Sequence, residues 1–210
     1  MTKRGKKPRQ CELAFPEHGG AREGAGRPRS NPRPTVPHVA RDEFASRYPI
    51  HVTLSVREGL PSLREGHTHR VLLAALIAGA NRGDFRILEY SAQGNHVHLF
   101  CEADDRSALS RGIQGLKRRI TPALNNLWHR SGAVFPERYH DHVLKSPTEV
   151  RRALEYILRN SNHHGMEHSD GLDPYSSARW FHGERPSPFP PARTWLASVG
   201  WRRCGWIEVA

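Results

Sequence analysis

The sequence predicts an α+β fold of the ferredoxin-like type, a split βαβ arrangement in which an antiparallel sheet carries its helices on one face. Short segments in which apolar and polar residues alternate are separated by longer segments with helical apolar spacing. Two of the short segments are joined by a Gly-Asn pair, which is typical of a hairpin turn. The resulting order of elements, β-α-β-β-α-β-α, is the order of such a sheet.

The first half of the folded region is predicted to hold three strands and one helix. Residues 50–56 alternate cleanly between apolar and polar side chains and therefore predict a strand. Residues 71–80 are apolar on nearly every side, which predicts a largely buried helix. Residues 85–91 and 96–102 then predict a hairpin that turns at Gly94.

A second helix and a fourth strand follow. The helix is predicted to begin near Asp105, and Pro122 is expected to limit its extent because proline cannot donate a backbone hydrogen bond. Residues 139–144 alternate again and predict the fourth strand. The helix presents one apolar stripe, formed by Leu109, Ile113, Leu116 and Ile120.

The third helix has the clearest start signal in the chain. Ser146, Pro147 and Glu149 supply the N-cap, the first helical position and the third position of a capping box. Residues four apart share a helix face, so Tyr156 and Asn160 are predicted to project together from the flank of the apolar stripe. A tyrosine at such an edge is either a packing residue with a wet hydroxyl or a reactive group.

Composition restricts the class of partner. The formal net charge of +11 and the pI near 10.3 favour a polyanion, and nucleic acid before a membrane. The strongest apolar run, residues 71–80, is too short to cross a bilayer, and the basic N-terminus lacks the apolar stretch of a secretory signal. Three widely spaced cysteines form neither a disulfide framework nor a CxxC metal knuckle, which indicates a reducing cytoplasm.

The chain is predicted to have three regions. Residues 1–45 are basic, rich in Pro and Gly and poor in large apolar side chains, which predicts a disordered arm. Residues 46–168 form the predicted domain, and residues 169–210 a C-terminal extension whose tryptophans either pack on the core or contact DNA. In the arm, Arg27 and Arg29 belong to a Gly-Arg-Pro-Arg run that is either a minor-groove contact or a solvated linker.

Histidine pairs are candidate metal ligands, but the spacing alone is weak evidence in a chain with 14 histidines. His96 and His98 are distinctive because they alternate with apolar residues on a predicted strand, so that two imidazoles lie side by side on one face. An amide oxygen brought to the same place would complete a metal site, and a tyrosine phenol beside it would supply a nucleophile. His140 and His142 alternate on the fourth strand and are either a second metal pair or outward polar residues.

The chain resembles the single-tyrosine HUH transposases, and within them the REP-associated tyrosine transposase branch. The resemblance covers residues 48–180 and rests on two motifs in this order, Asn95-His96-Val97-His98-Leu99 and Tyr156-Ile157-Leu158-Arg159-Asn160. Shorter matching segments are residues 116–119, 138–142 and 175–178.

The resemblance implies a metal-dependent endonuclease and strand transferase. His96, His98 and Asn160 would hold one divalent ion, Mg²⁺ or Mn²⁺, since imidazole favours Mn²⁺ and oxygen ligands admit either. Tyr156 would attack the scissile phosphate and form a 5′-phosphotyrosine. On this interpretation His140 and His142 are outward residues.

The resemblance also implies the partner. We expect single-stranded DNA that carries hairpins such as REP-like repeats, no membrane, and a nucleoid-associated protein of a bacterial cytoplasm; a homodimer stays open. Lys117, Arg118, Arg119, Arg27 and Arg29 are candidate DNA contacts, although the three cations at 117–119 also suit a solvated helix face.

Two other functions stay open at the level of sequence. The first is a domesticated DNA-binding protein that kept the fold and lost transposition. The second is a nucleic-acid-binding module of the RRM type, which would need an aromatic pair on the central strands, where Phe100 stands almost alone.

Overall fold

A computed structural model describes the chain over residues 41–159, 172–183 and 185–209. Several predicted features lie outside these residues, and their structure is therefore not described: most of the basic arm, the arginines Arg27 and Arg29, and the amide Asn160. The predicted division into arm, domain and extension stays a prediction.

Within the described residues, five strands form one antiparallel sheet. In chain order they are β1 Ile50–Ser55, β2 Asn81–Arg82, β3 Phe85–Ala92, β4 His96–Ala103 and β5 His140–Val143. Their order across the sheet is β2-β3-β4-β1-β5, and every pairing is antiparallel. This confirms the predicted α+β class and its four strands. β2 was not predicted, because two residues are too few to show alternation.

Three longer helices of the described residues pack on the sheet: α1 Gly66–Gly79, α2 Arg106–Leu127 and α3 Pro147–Leu158. The expectation that Pro122 limits α2 is wrong, since the helix continues through it. The proline removes the donor for the Arg118 carbonyl, but both residues lie on the exposed side, where water can satisfy that oxygen. None of the described helices combines the length and apolar character needed to cross a membrane.

Helices α1 and α2 pack together on one face of the sheet. This larger core holds the apolar residues of β1 together with the helix stripe predicted from the sequence. Gly112 allows α2 to approach β3 closely, because a Cβ at this position would lie 2.2 Å from Cγ of Phe85. The core includes Ile50, Val52, Leu54, Phe85, Leu99, Leu109, Ile113 and Leu116.

Helix α3 packs on the opposite face, so the expectation that all helices share one face is wrong. The reason lies in β4, which buries side chains in both directions, Leu99 towards α2 and Phe100 towards α3. The predicted capping box is present at Ser146 and Glu149. The α3 side of this second core consists of Val150, Ala153, Leu154, Ile157 and Leu158.

The C-terminal residues are docked on this second core. The 3-10 helix Gly200–Cys204 packs against α3, and Trp201 is buried there while Trp206 is exposed. The Glu102 carboxylate of β4 accepts backbone N–H groups of Arg193 and Thr194 at 3.0 and 2.7 Å. The tryptophans therefore divide between packing and exposure.

Candidate active site

Two imidazoles of β4 form the centre of the site. His96 and His98 are two residues apart and therefore face the same side of the sheet, the side that α3 covers. Their Nε2 atoms are 3.0 Å apart. His96 is half-buried and His98 is 5% exposed, so the pair reaches from the packed interior to the surface.

The second nitrogen of each imidazole is engaged by a neighbour. Nδ1 of His98 lies 3.1 Å from Oγ1 of Thr53 and 3.1 Å from Nε2 of His51, both on β1. Nδ1 of His96 lies 2.8 Å from Oδ1 of Asn95. The two Nε2 atoms are hydrogen-bonded to each other, so one of them carries a proton in this structure. An Nδ1–H donated to the neighbouring acceptors on both rings would make both Nε2 lone pairs available to a shared ligand.

His51 and Thr53 are not predicted as site residues from the sequence. The alternation of β1 does place them on the face opposite Ile50 and Val52. What the sequence lacks is the pairing register, which sets Thr53 directly across from His98. Register depends on contacts between distant segments and cannot be predicted from either strand alone.

Tyr156 of α3 lies over the histidines. Its ring centroid is 5.1 Å from that of His98 and 6.0 Å from that of His51, with the rings edge-on. The side chain is 41% exposed, while Ala153 and Ile157 beside it are buried. The phenol is therefore supported on the imidazoles and accessible from solvent. Asn160, predicted to project beside it, lies outside the described residues.

The two Nε2 atoms fit the spacing of ligands that share one metal ion. Two donors about 2.1 Å from an ion and at right angles to each other are about 3.0 Å apart, which is the separation of the His96 and His98 nitrogens. Among the described residues, no group of three or more His, Cys, Asp or Glu side chains could hold a metal. Further ligands would have to come from residues outside the described part of the chain, such as Asn160, from substrate oxygens or from water.

Burial favours the uncharged form of the His51 imidazole, which lies next to His98. Desolvation, assisted by the nearby His142, lowers the pKa of His51 from 6.5 to about 4. In the strand register His142 lies opposite His51, and His140 lies opposite Thr53. Both residues of this second pair are exposed, as predicted.

The three consecutive cations of α2 do not act as one group. Lys117 donates to the backbone carbonyl of Glu137, whereas Arg118 is exposed. Nε of Arg119 passes beside α1, 3.9 Å from where a Cβ on Gly79 would lie. Successive residues are turned by about 100° around a helix, so three in a row cannot share a face.

Comparison with known proteins gives a structural match without a sequence match. No family profile and no curated protein matches the sequence. The fold is similar to a solved structure of a REP-associated tyrosine transposase bound to a REP hairpin, with a TM-score of 0.56. The alignment covers 70% of this chain and 84% of that one at 18% identity. At this identity the similarity establishes a shared fold.

Proposed function

We propose that this protein is a metal-dependent strand transferase that nicks and rejoins single-stranded DNA through a tyrosine. The observation that carries the proposal is the exposed phenol of Tyr156 lying against two imidazoles whose Nε2 atoms are 3.0 Å apart. A nucleophile next to a pair of nitrogen ligands is the arrangement that metal-assisted phosphodiester cleavage needs.

His96, His98 and Asn160 would hold the divalent ion, Mg²⁺ or Mn²⁺. Bound there, it would supply Lewis-acid polarisation of the scissile phosphate and a fixed geometry for attack. The neighbouring Thr53 and Asn95 side chains orient the two imidazoles so that their Nε2 atoms converge. The 3.0 Å separation of those atoms supports the two histidine ligands, and the sequence motif that ends at Asn160 supports the third.

Tyr156 performs the covalent step. Its phenolic oxygen forms a bond to phosphorus as the bond between phosphorus and the 3′-oxygen breaks, which leaves a 5′-phosphotyrosine and a free 3′-hydroxyl. The phenolic proton passes to water, and the leaving oxygen takes up a proton. Because the phosphotyrosine preserves the energy of the phosphodiester, attack by another 3′-hydroxyl reverses the step without ATP.

The expected substrate is single-stranded DNA that carries a hairpin. A net charge of +11 supports a polyanionic partner. The fold similarity to a transposase bound to a REP hairpin supports this class of DNA. An RRM-type module would instead need exposed aromatics on the sheet, and the described structure offers little support for it because Phe100 is buried beneath α3.

The direct experiment is to incubate the full-length protein with a labelled oligonucleotide that contains a hairpin and single-stranded flanks. Addition of Mn²⁺ or Mg²⁺ should convert part of the label into a species that stays attached to the protein under denaturing conditions. A chelator should prevent this. Tight binding without any adduct, in either metal and on either flank, would instead indicate a domesticated DNA-binding protein.

A further inference from the structure

A cationic cleft lies on the sheet face opposite the candidate active site. It has a volume of about 490 Å³ and is enclosed by one side of α2, by Arg41 and by the segment that leads into β5. None of its lining residues, all from the described part of the chain, is acidic. Five of them are cations: Arg41, Arg106, Arg111, Lys117 and Arg138.

Part of the cleft is held in place by ion pairs. Arg41 and Arg106 share one carboxylate, that of Asp141, with the Arg41 contact at 3.0 Å. The Arg41 guanidinium also stacks on the ring of Tyr139, 3.8 Å from its centroid. Two arginines on a single carboxylate leave one positive charge uncompensated, and the shared contact fixes the direction of both side chains.

Two of the remaining cations add to this excess, whereas Arg111 is paired with Asp84 at 2.8 Å. Lys117 and Arg138 form no ion pair with any of the described residues, and Lys117 donates only to the neutral carbonyl of Glu137 and faces the ring of Phe135. Burial lowers the pKa of Lys117, and the nearby Arg41 guanidinium lowers it further, so positive charges lie close together here. A bound anion would relieve this crowding.

The length of the cleft suits several phosphates. Its α2 wall extends from Arg106 to Lys117, which corresponds to about 16 Å at 1.5 Å per residue. A stacked strand carries one phosphate per roughly 3.4 Å. Several consecutive phosphates of a nucleic-acid strand can therefore lie along this wall, whereas a single phosphate would leave most of it unused.

The cleft and the candidate active site lie on either side of β5, the edge strand of the sheet. Asp141 of β5 turns towards the cleft, whereas the exposed His140 and His142 face the side of α3. His142 lies opposite His51, whose ring is 6.0 Å from that of Tyr156. The two arginines paired with Asp141 thus lie on one face of this edge strand, and the two exposed imidazoles lie on the other.

We infer that the cleft binds the phosphate backbone of the substrate DNA on one side of the cut, and that this strand crosses the edge of β5 to reach Tyr156. The inference rests on the proposed function for the position of the cut. Only phosphates on one flank of the scissile bond should contact Lys117 and Arg138, whereas general electrostatic attraction would involve phosphates on both flanks.

The test compares two doubly substituted full-length proteins in the presence of a chelator, so that binding is measured without cleavage. Lys117→Ala/Arg138→Ala removes two cleft cations, and Arg57→Ala/Arg70→Ala removes the same charge from two exposed positions outside the cleft. Binding of the hairpin oligonucleotide is measured over a salt series. Each lost phosphate contact should lower the log–log salt slope by about 0.7, so the cleft variant should lose about 1.4 and the control much less.

A second arm locates the phosphates. Uncharged methylphosphonate linkages are placed one at a time along both flanks of the hairpin. With the unsubstituted and control proteins, a contiguous group on one flank should weaken binding, and the same group should have no effect on the cleft variant. Equal slope losses in the two variants, or an unchanged methylphosphonate pattern in the cleft variant, would overturn the inference.

Thermal unfolding of both variants checks that they fold. If the alanine pair is unstable, Lys117→Gln/Arg138→Gln keeps more of the packing and decides the same question. The adduct assay is run separately on the same oligonucleotide. If the methylphosphonate effect depends on the cleft cations as expected but no adduct forms, the proposed chemistry alone is rejected. If adduct forms normally but the methylphosphonate effect does not depend on the cleft cations, this inference alone is rejected.

Discussion

The Nδ1 atom of His98 lies 3.1 Å from Oγ1 of Thr53, its cross-strand neighbour on β1. A metal-ligating imidazole commonly donates its second N–H to a group of this kind, which fixes its tautomer and its orientation. Thr53 is thus a positioning residue in the proposed mechanism. Together with Nε2 of His51, which lies at the same distance from this Nδ1 atom, it holds Nε2 of His98 towards His96.

Thr53→Val should therefore weaken metal use while preserving the shape of the side chain. We expect the Mn²⁺ concentration for half-maximal adduct formation to rise by about 10–100-fold. Thr53→Ser, which restores the hydroxyl, should recover most of the loss. Thr148→Val on the exposed start of α3 is the matched control. An unchanged Mn²⁺ dependence in Thr53→Val would show that Thr53 does not position His98.

The two histidine pairs should behave differently. His96→Ala and His98→Ala should each abolish metal-dependent adduct formation, since both nitrogens are proposed to reach one ion. Asn160→Ala should have a milder effect, because water can replace an amide oxygen.

His140 and His142 lie on the same sheet face as the first pair, so His140→Ala and His142→Ala are the matched controls. They should leave the metal requirement unchanged. If these two abolish metal-dependent cleavage while the first pair tolerates substitution, the metal site has been assigned to the wrong strand.

Gly112→Ala tests the packing of α2 on the sheet. The added Cβ would lie 2.2 Å from Cγ of Phe85, a fully buried ring, so the helix or the ring must shift. Overpacking of this kind typically costs about 1–3 kcal/mol in the free energy of unfolding. Gly66→Ala, where a Cβ meets nothing within 4 Å, is the control. Urea unfolding that shows equal stability for both variants would contradict this packing.

Stability should fall in mild acid because of His69. This residue is 8% exposed, its Nε2 is 3.0 Å from the Tyr90 hydroxyl, and burial lowers its pKa from 6.5 to about 4. Between these two values the unfolded chain binds more protons than the folded one. The stabilisation is therefore complete above pH 6.5 and is lost progressively as the pH falls towards 4.

Urea unfolding at pH 7 and pH 5 measures this effect. The neutral His69 should account for on the order of 2 kcal/mol of the stability lost between these values. His69→Gln cannot titrate and should lose correspondingly less, while His51 contributes equally in both proteins. Equal losses in the two proteins would show that His69 is not responsible.

Local sequence signals were sufficient for most elements of the fold. The alternation of residues 50–56 and the capping box at Ser146 are properties of short segments, and the structure contains both elements. The joint orientation of His96 and His98 follows from the two-residue period of a strand. Such features need no information from distant parts of the chain.

The remaining features depend on tertiary contacts. Nothing within α3 indicates which face of the sheet it covers, and nothing within β1 indicates that Thr53 pairs with His98. Continuation of α2 through Pro122 depends on solvent reaching the Arg118 carbonyl. The same limit applies to the cationic cleft, whose residues come from three separate segments.

The measurement that tests the central claim most directly is identification of the residue that carries the DNA. The covalent product formed with Mn²⁺ is digested, and the peptide that bears the nucleotide is sequenced by mass spectrometry. Tyr156→Phe and the control Tyr48→Phe are assayed in parallel. We predict that the nucleotide is attached to Tyr156, that Tyr156→Phe binds the hairpin but forms no adduct, and that Tyr48→Phe behaves as the unsubstituted protein. Attachment to another residue, or adduct at the normal rate in Tyr156→Phe, would contradict the account.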